Sequence, residues 1–328
     1  MTVTTKDIAE ACGVSRGTVD RALNDRPGIN PETKKQVLQM AEKMGYRPHL
    51  LARSLVKGKT MSIGVIVFDL NNRFFSQLIN NIEFKAREQG YFVYLTLTNK
   101  DKEIEKECIN HLQNRRVDGL IMCPINKGQK YQSYLKDLNM PVVTVGNKIS
   151  NDFSYVGIND KKAMFAAVKH IIKNDYREII YVSPPLAKME DENIYAQEQR
   201  FKGFKAGVED LERNIKVKII KNKKYIAELA KLNLNRNETA ILCSSDVFAL
   251  DVLKYLKSKN IRVPADIGLM GFDKIDMLEY VEPSLTTVFY PVKKIGITAV
   301  EQLVEQIENN YKTEERIIDY KIVRGKSL

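Results

Sequence analysis

The chain has 328 residues, 44% hydrophobic and 28% charged, with 52 Lys and Arg against 41 Asp and Glu for a formal net charge of +11. That balance excludes an intrinsically disordered chain, and the length exceeds one ordinary core, so two or three domains are expected. No apolar run approaches the ~20 residues of a membrane-spanning helix and no apolar signal core opens the chain, so a soluble, cytoplasmic protein that favours polyanionic partners is expected. Cys12, Cys108, Cys123 and Cys243 form no C-x-x-C pair and no metal spacing, which predicts free thiols, mostly buried. His49, His111 and His170 are equally scattered, so neither a metal nor a cofactor is implied.

Residues 5 to 24 read as two short helices. Ile8, Ala9 and Cys12 recur at helical spacing and stop at Gly13, where a positive φ lets the chain turn. Ser15 is a good N-cap for a second helix whose apolar positions are Val19, Ala22 and Leu23. This is a helix-turn-helix pattern, in which the second helix would carry Arg16, Thr18 and Arg21 into a DNA major groove. The plainer alternative is a corner of some all-α domain. A third helix follows: Asn30 caps it, Pro31 suits its first position, Val37, Leu38, Ala41 and Met44 form its apolar face, and Gly45 ends it. Residues 1–60 hold 11 basic side chains against 6 acidic ones, a net of +5 in under a fifth of the chain. Such enrichment is the electrostatic footprint expected for DNA.

Next, Tyr46 to Leu55 has room for one or two helical turns after Pro48, and Val56 to Thr60 reads as a polar linker. A helix this short is unstable alone and needs DNA, or the same segment of a second subunit, to fold against. Lys6-Asp7-Ile8-Ala9, Gly13-Val14-Ser15, Thr18-Val19, Arg21, Leu23-Asn24, Gly45-Tyr46-Arg47-Pro48 and Ala52-Arg53-Ser54-Leu55, in this order and spacing, resemble the headpiece and hinge of the LacI/GalR family of bacterial transcription regulators. The resemblance implies a homodimer on a palindromic operator, with hinge segments that become helical there. It implies an apolar wedge in the minor groove, here Leu55, which kinks one base step at a cost of a few kcal/mol offset by added contacts. DNA contacts are implied for Thr5, Ser15, Arg16, Gly17, Thr18, Asp20, Arg21, Asn24, Arg26, Asn30, Tyr46, Arg47, Arg53 and Leu55. Two positions depart from the family pattern. Asp20 stands where serine is usual and would repel phosphate unless it pairs with Arg16 or Arg21. Gly17 offers no side chain where a base is often read, which leaves Arg16 as the best candidate for reading guanine, with a phosphate contact as its alternative.

From Met61 onward, short β-branched apolar runs alternate with amphipathic stretches. Ser62–Phe68, Tyr91–Leu95, Gly119–Met122 and Val142–Val145 predict strands, with helices over Phe75–Gln89 and Lys102–Asn114. The pattern then restarts. Glu178–Val182, Val217–Ile220, Ala240–Cys243 and Ile267–Met270 predict strands, with helices around Lys161–Lys173, Gln197–Glu212 and Phe248–Ser258. Two α/β halves with buried parallel sheets follow. No Gly-x-Gly-x-x-Gly follows the first strand and no phosphate-loop motif occurs, so a dinucleotide or nucleotide enzyme is not indicated. The family resemblance implies a type I periplasmic-binding-protein-like core behind the all-α headpiece. Its expected boundaries are a headpiece over 1–48, a hinge helix and linker over 49–60, and a core over 61–328. Within the core the N-subdomain takes about 61–159 and 290–318, and the C-subdomain about 160–289 and 319–328.

Ligands of such sheets bind beyond the carboxyl ends of the strands, here an interdomain cleft. Asn72, Phe74 and Phe75 follow the first strand, in a loop similar to the family's Asn-Pro-Phe-Phe but with Arg73 for the proline. Asn126 and Asn147 end the third and fourth strands. Arg200, Ser245, Asp246 and Asp273 match family positions, and Tyr290 replaces a frequent glutamine. Asn, Asp, Arg and aromatic side chains suit a hydroxylated effector, a sugar or sugar derivative, while Arg73, Lys127, Lys148 and Arg200 also permit a phosphorylated or acidic one. The expected function is a ligand-responsive repressor of carbohydrate-metabolism genes that is not an enzyme and has no membrane partner. The alternative is a solute-binding protein of the periplasmic sugar-binding type, which has no use for residues 1–60.

Overall fold

A computed structural model describes residues 3–46, 59–186, 192–210, 215–309 and 312–328. It divides into two compact units, Met1–Thr60 and Met61–Leu328. In the first, helices α1 (Thr5–Cys12), α2 (Arg16–Leu23) and α3 (Pro31–Lys43) enclose Ile8, Ala9, Val19, Ala22, Val37 and Ala41. Each helix end is chemically defined. Thr4 and Asp7 form a capping box on α1, and Gly13 ends it at φ +65, its N–H reaching the Ala9 and Glu10 carbonyls. Ser15 caps α2 by accepting from Thr18 N, and Asn30 caps α3 with Pro31 as its first residue. Leu38 does not belong to the apolar face assigned to it, because it is 42% exposed.

The second unit holds two six-stranded sheets. The first runs in the order β11-β5-β4-β3-β1-β2, where β1 is Ser62–Val67, β2 Phe92–Leu97, β3 Gly119–Met122, β4 Val142–Val145, β5 Ser154–Gly157 and β11 Glu315–Ile317. Every pairing in it is parallel. The second runs β12-β10-β9-β8-β6-β7, with β6 Glu178–Ser183, β7 Lys216–Lys221, β8 Thr239–Cys243, β9 Gly268–Asp273, β10 Thr286–Phe289 and β12 Lys321–Val323. Only β12 runs antiparallel to its neighbour. Strands β1, β3, β4, β6, β8 and β9 are buried along their whole length, as β-branched runs covered by helices on both faces should be.

The helices in chain order are α4 (Arg73–Glu88), α5 (Lys102–Asn114), α6 (Gln129–Asp137), α7 (Asp160–Lys173), α8 (Tyr195–Glu209), α9 (Tyr225–Ala230), α10 (Asp246–Ser258) and α11 (Val292–Asn309). The chain passes between the sheets three times. It leaves the first sheet after β5 and enters the half built on the second sheet at α7, which packs on α8. After β10 it returns through α11, which packs against α4 and the first sheet, and β11 pairs with β5. The last strand, β12, closes the second sheet. One close approach matters for the site. Gly203 on α8 faces the Lys161 carbonyl so closely that a Cβ would collide with it, which lets α8 lie against the first turn of α7. Among the described residues, no helix is long and apolar enough to cross a membrane.

Candidate functional site

The headpiece face available to a partner is set by what α2 buries. Val19 and Ala22 enter the core, leaving Arg16, Gly17 and Arg21 exposed. Neither arginine has an ion-pair partner among the described residues. Ser15 and Thr18 bond each other, hydroxyl to hydroxyl at 3.0 Å, and so fix the helix start. Asp20 pairs with neither arginine proposed for it. One turn on, Asn24 Nδ2 donates to its carboxylate at 2.7 Å, and the chain folds back so that Arg26 Nη1 lies 3.1 Å away. Asn24 and Arg26 are therefore occupied in masking an acidic group. Gly17 is not explained by crowding, since a Cβ there would meet only Ser15 Oγ at 3.7 Å. Thr5 is half-buried, Asn30 Oδ1 accepts from Glu32 N at 2.8 Å, and Tyr46 packs on the headpiece core. Arg47, Arg53 and Leu55 lie outside the described residues.

In the larger unit a cavity of about 230 Å³ lies where the carboxyl ends of the two sheets face each other. Its first wall comes from α4. Asp69 Oδ1 accepts from Asn71 N and Asn72 N, shaping the loop, and Asn72 caps the helix by accepting from Phe74 N at 3.1 Å. Phe74 and Phe75 are thereby presented to the cavity, with Phe74 edge-on to the Tyr290 ring at 5.1 Å. Ile125, Val145 and Asn147 complete this wall, and Pro184, Ile194, Gln197, Phe248 and Ser245 stand opposite.

The floor is built on Arg200 of α8. Its Nε donates to Asp160 Oδ1 at 2.7 Å, and its Nη1 donates to the Ser244 carbonyl at 2.6 Å and lies 3.2 Å from Asp273 Oδ1. The guanidinium lies 3.8 Å from the centre of the Phe272 ring. The α7–α8 contact at Gly203 brings Arg200 to the first residue of α7, Asp160. Burial works against the Arg200 charge, but Asp273 and Asp160 more than offset it and hold the guanidinium protonated. Burial pushes the Asp160 carboxyl up against the pull of Arg200, and pushes Asp273 up to about 8, again opposed by Arg200. The Tyr290 hydroxyl, Asp160 Oδ2 and Gln197 Oε1 are buried without a partner among the described residues. Such atoms call for a ligand or water partner.

Several residues chosen for ligand contact do other work. Asn126 does not line the cavity: its Nδ2 donates to Glu105 Oε1 and to the Lys102 carbonyl, both at 2.9 Å. Asp246 does not line it either. Its carboxylate accepts from the Thr287 hydroxyl at 2.7 Å and from Ile275 N at 3.0 Å, tying three strand-end loops of the second sheet. Asn147 lines the cavity, yet its amide is fully engaged. It donates to the Pro124 and Asn193 carbonyls at 3.1 and 2.6 Å and accepts from Ala196 N at 3.1 Å. Asn193 reciprocates, its backbone N–H reaching the Ile125 carbonyl at 2.6 Å and its Nδ2 the Lys148 carbonyl at 3.1 Å. These bonds join the two halves. On another edge Arg73 pairs with Asp276 across the same division. Sequence reasoning missed Asp160, Asn193 and Gln197. Asp160 follows a strand with no apolar run, and the 184–196 segment has no periodicity to place it.

The lacI-family model of bacterial regulatory proteins matches residues 4–49, and a periplasmic binding protein-like domain matches residues 168–328. Catabolite control protein A of Priestia megaterium is 31% identical over 313 residues, covering 93% of this chain and 92% of that protein. The fold matches the lac repressor dimer bound to operator and the anti-inducer ONPF with a TM-score of 0.87 at 21% identity, over 100% of this chain and 99% of that one. A periplasmic binding protein/LacI transcriptional regulator from Alkaliphilus metalliredigens, complexed with D-xylulofuranose, matches with a TM-score of 0.69 at 26% identity, over 81% of this chain and 98% of that one. A helix-turn-helix headpiece, a two-half core and full-length relatedness lead to one assignment: the chain belongs to the lacI family of bacterial regulatory proteins and is a DNA-binding transcription regulator, not an enzyme.

Proposed function

We propose that this regulator is a cytoplasmic repressor that binds a two-fold operator as a homodimer and responds to a sugar or sugar derivative held in the cavity between its core halves. The working organisation is a headpiece over 1–48, a hinge over 49–60 and a core over 61–328. The observation that carries the DNA reading is the pair Arg16 and Arg21, exposed on α2 with Asp20 masked by Asn24 and Arg26. The dimer reading rests on an apolar edge: Phe84 is 57% exposed on α4 and Phe92 is 71% exposed on the adjacent edge strand β2, with Tyr94 beside it. A monomer rarely leaves such a patch open, and a second copy would cover it. The sugar reading rests on a cavity that sets aromatic rings against Arg200, Asp273 and Tyr290, and on the D-xylulofuranose bound by the Alkaliphilus relative.

The test is Arg21→Ala, titrated against duplexes selected from a random pool, at several salt concentrations. Losing one phosphate contact should lower affinity at every sequence and reduce the salt slope by about 0.9; losing a base contact should cost about 1–3 kcal/mol at one position. Affinity equal to the unaltered protein at matched salt would contradict the assignment.

A further inference from the structure

We infer that the core cavity accepts an uncharged, single-ring polyhydroxylated molecule and discriminates against the phosphate ester or carboxylate of the same molecule. This rests on the reading of the cavity as the effector site and goes further by naming what the site rejects.

The reasoning is a count of charge. The buried cation on the floor, Arg200, is already paired with the Asp160 carboxylate at 2.7 Å and lies 3.2 Å from the Asp273 carboxyl, so its charge is answered from within. Arg73 is held by Asp276 and Lys148 by Glu315, the latter at 2.7 Å. The remaining charged groups of the lining, Lys100 and Glu192, carry opposite signs, and Lys100 is exposed to solvent. Among the described residues a buried anion would find no free buried counter-charge, and desolvating it would go uncompensated.

Helix N-termini are the usual second source of anion affinity, and those of α4, α8 and α10 border the cavity. The first two are answered by asparagine side chains, and α10 carries the buried Asp246 side chain in its first turn. Asn72 Oδ1 takes the Phe74 N–H of α4 at 3.1 Å. At α8, Asn193 Oδ1 takes the Tyr195 N–H at 3.2 Å and Asn147 Oδ1 takes the Ala196 N–H at 3.1 Å. What remains for a ligand is neutral or already balanced: the buried, unpartnered Tyr290 hydroxyl and Gln197 carbonyl oxygen, and the Ser245 hydroxyl, which makes no capping bond at α10. These groups exchange hydrogen bonds with hydroxyls. At about 230 Å³ the cavity is also smaller than the ~300–1,000 Å³ typical of drug-sized ligands, which favours one ring over two.

The experiment is a thermal-shift screen followed by calorimetric titration of the full chain. The panel pairs ribose with ribose 5-phosphate and glucose with glucose 6-phosphate, and adds other free pentoses and hexoses, gluconate, cellobiose and adenine. A free sugar at a hundredfold excess over its Kd should raise Tm by roughly 5 °C, with its phosphate about tenfold or more weaker. Asp160→Asn, which removes one carboxylate from Arg200, should narrow the sugar-to-ester ratio about threefold or more. A phosphate or gluconate that binds as tightly as the free sugar, or an unchanged ratio in the variant, would overturn the charge argument while leaving the effector reading intact. A largest shift from cellobiose or adenine would overturn the ligand class and still leave that reading. If no compound shifts Tm or changes operator affinity, both fail together.

Discussion

Asn147 offers the most direct test of how the two core halves are coupled, because its three amide hydrogen bonds divide between them. The bond to the Pro124 carbonyl stays within the first half, whereas those to the Asn193 carbonyl and from Ala196 N reach the second. At about 0.5–1.5 kcal/mol net per bond, Asn147→Ala removes about 1–3 kcal/mol of cross-cleft attraction. That is a change of about 5- to 150-fold in the equilibrium between joined and separated halves. Sugar affinity should fall by up to that factor, measured calorimetrically with the free sugar that gives the largest thermal shift. The operator response, followed by fluorescence anisotropy at fixed salt, should need correspondingly more sugar. Asn126→Ala is the control. It breaks bonds to Glu105 and Lys102 that lie wholly within the first half, so it should lower Tm and leave sugar affinity alone. The reasoning fails if Asn147→Ala binds sugar within about twofold of the unaltered protein, or if Asn126→Ala weakens sugar as much.

Two further outcomes follow from exposure and from buried charge. Phe92→Glu places a carboxylate at the start of the exposed apolar β2 edge, so sedimentation at micromolar concentration should show monomer, and operator affinity should drop with the loss of the second half-site; a dimer of unchanged stability would place the interface elsewhere. Burial pushes the Asp273 carboxyl up to about 8 and that of Asp246 up to about 6, so the folded core holds protons that the unfolded chain has released. Their contribution is complete below the unfolded value near 3.8 and is lost as pH climbs through those folded values. Tm should therefore decline between pH 6.5 and 8.5, above the range where His170, held low by burial, acts in the opposite sense. Asp273→Asn should flatten that decline, and a Tm rising across the window would refute it.

Local patterns in the chain carry most of the architecture. The turn at Gly13, the caps at Ser15 and Asn30 and the eight apolar runs all correspond to elements of the structure within a few residues. Elements left out each lack a clear local signal. β5 is Ser-Tyr-Val-Gly, four fully buried residues without an apolar run, and β10 mixes threonines with one valine and one phenylalanine. α11 carries the right apolar spacing at Ile295, Ala299 and Leu303, but it is dense in β-branched residues and holds Gly296, composition that disfavours a helix in isolation. It forms because tertiary packing on α4 and the first sheet overrides propensity. The return of β11 to the first sheet and β12 to the second involves three-residue strands, too short to carry any period at all.

The site was legible by position and illegible by partner. Asn126, Asn147 and Asp246 stand just beyond strand ends and Asp273 at one, where a ligand is expected, and all are residue types that bond hydroxyls. Those same loops, however, expose backbone groups that must be satisfied once buried, and a short amide or carboxylate is the nearest means of doing so. Asn126 is thus held by Glu105 and the Lys102 carbonyl, Asp246 holds the Ile275 N–H and the Thr287 hydroxyl, and Asn147 fastens one half of the core to the other. Residue type cannot separate the two uses, since each demands the same chemistry at the same place. A census of partners can: among the described residues, the lining groups left over after the loops are satisfied, the Tyr290 hydroxyl and the Gln197 carbonyl oxygen, are the ones with hydrogen-bonding capacity to give a ligand. Gln197 was absent from the sequence-derived set, and Tyr290 entered it as a departure from the family pattern. Arg200 and Asp273, which the family resemblance singled out, are instead engaged with each other, and Arg200 with Asp160 as well.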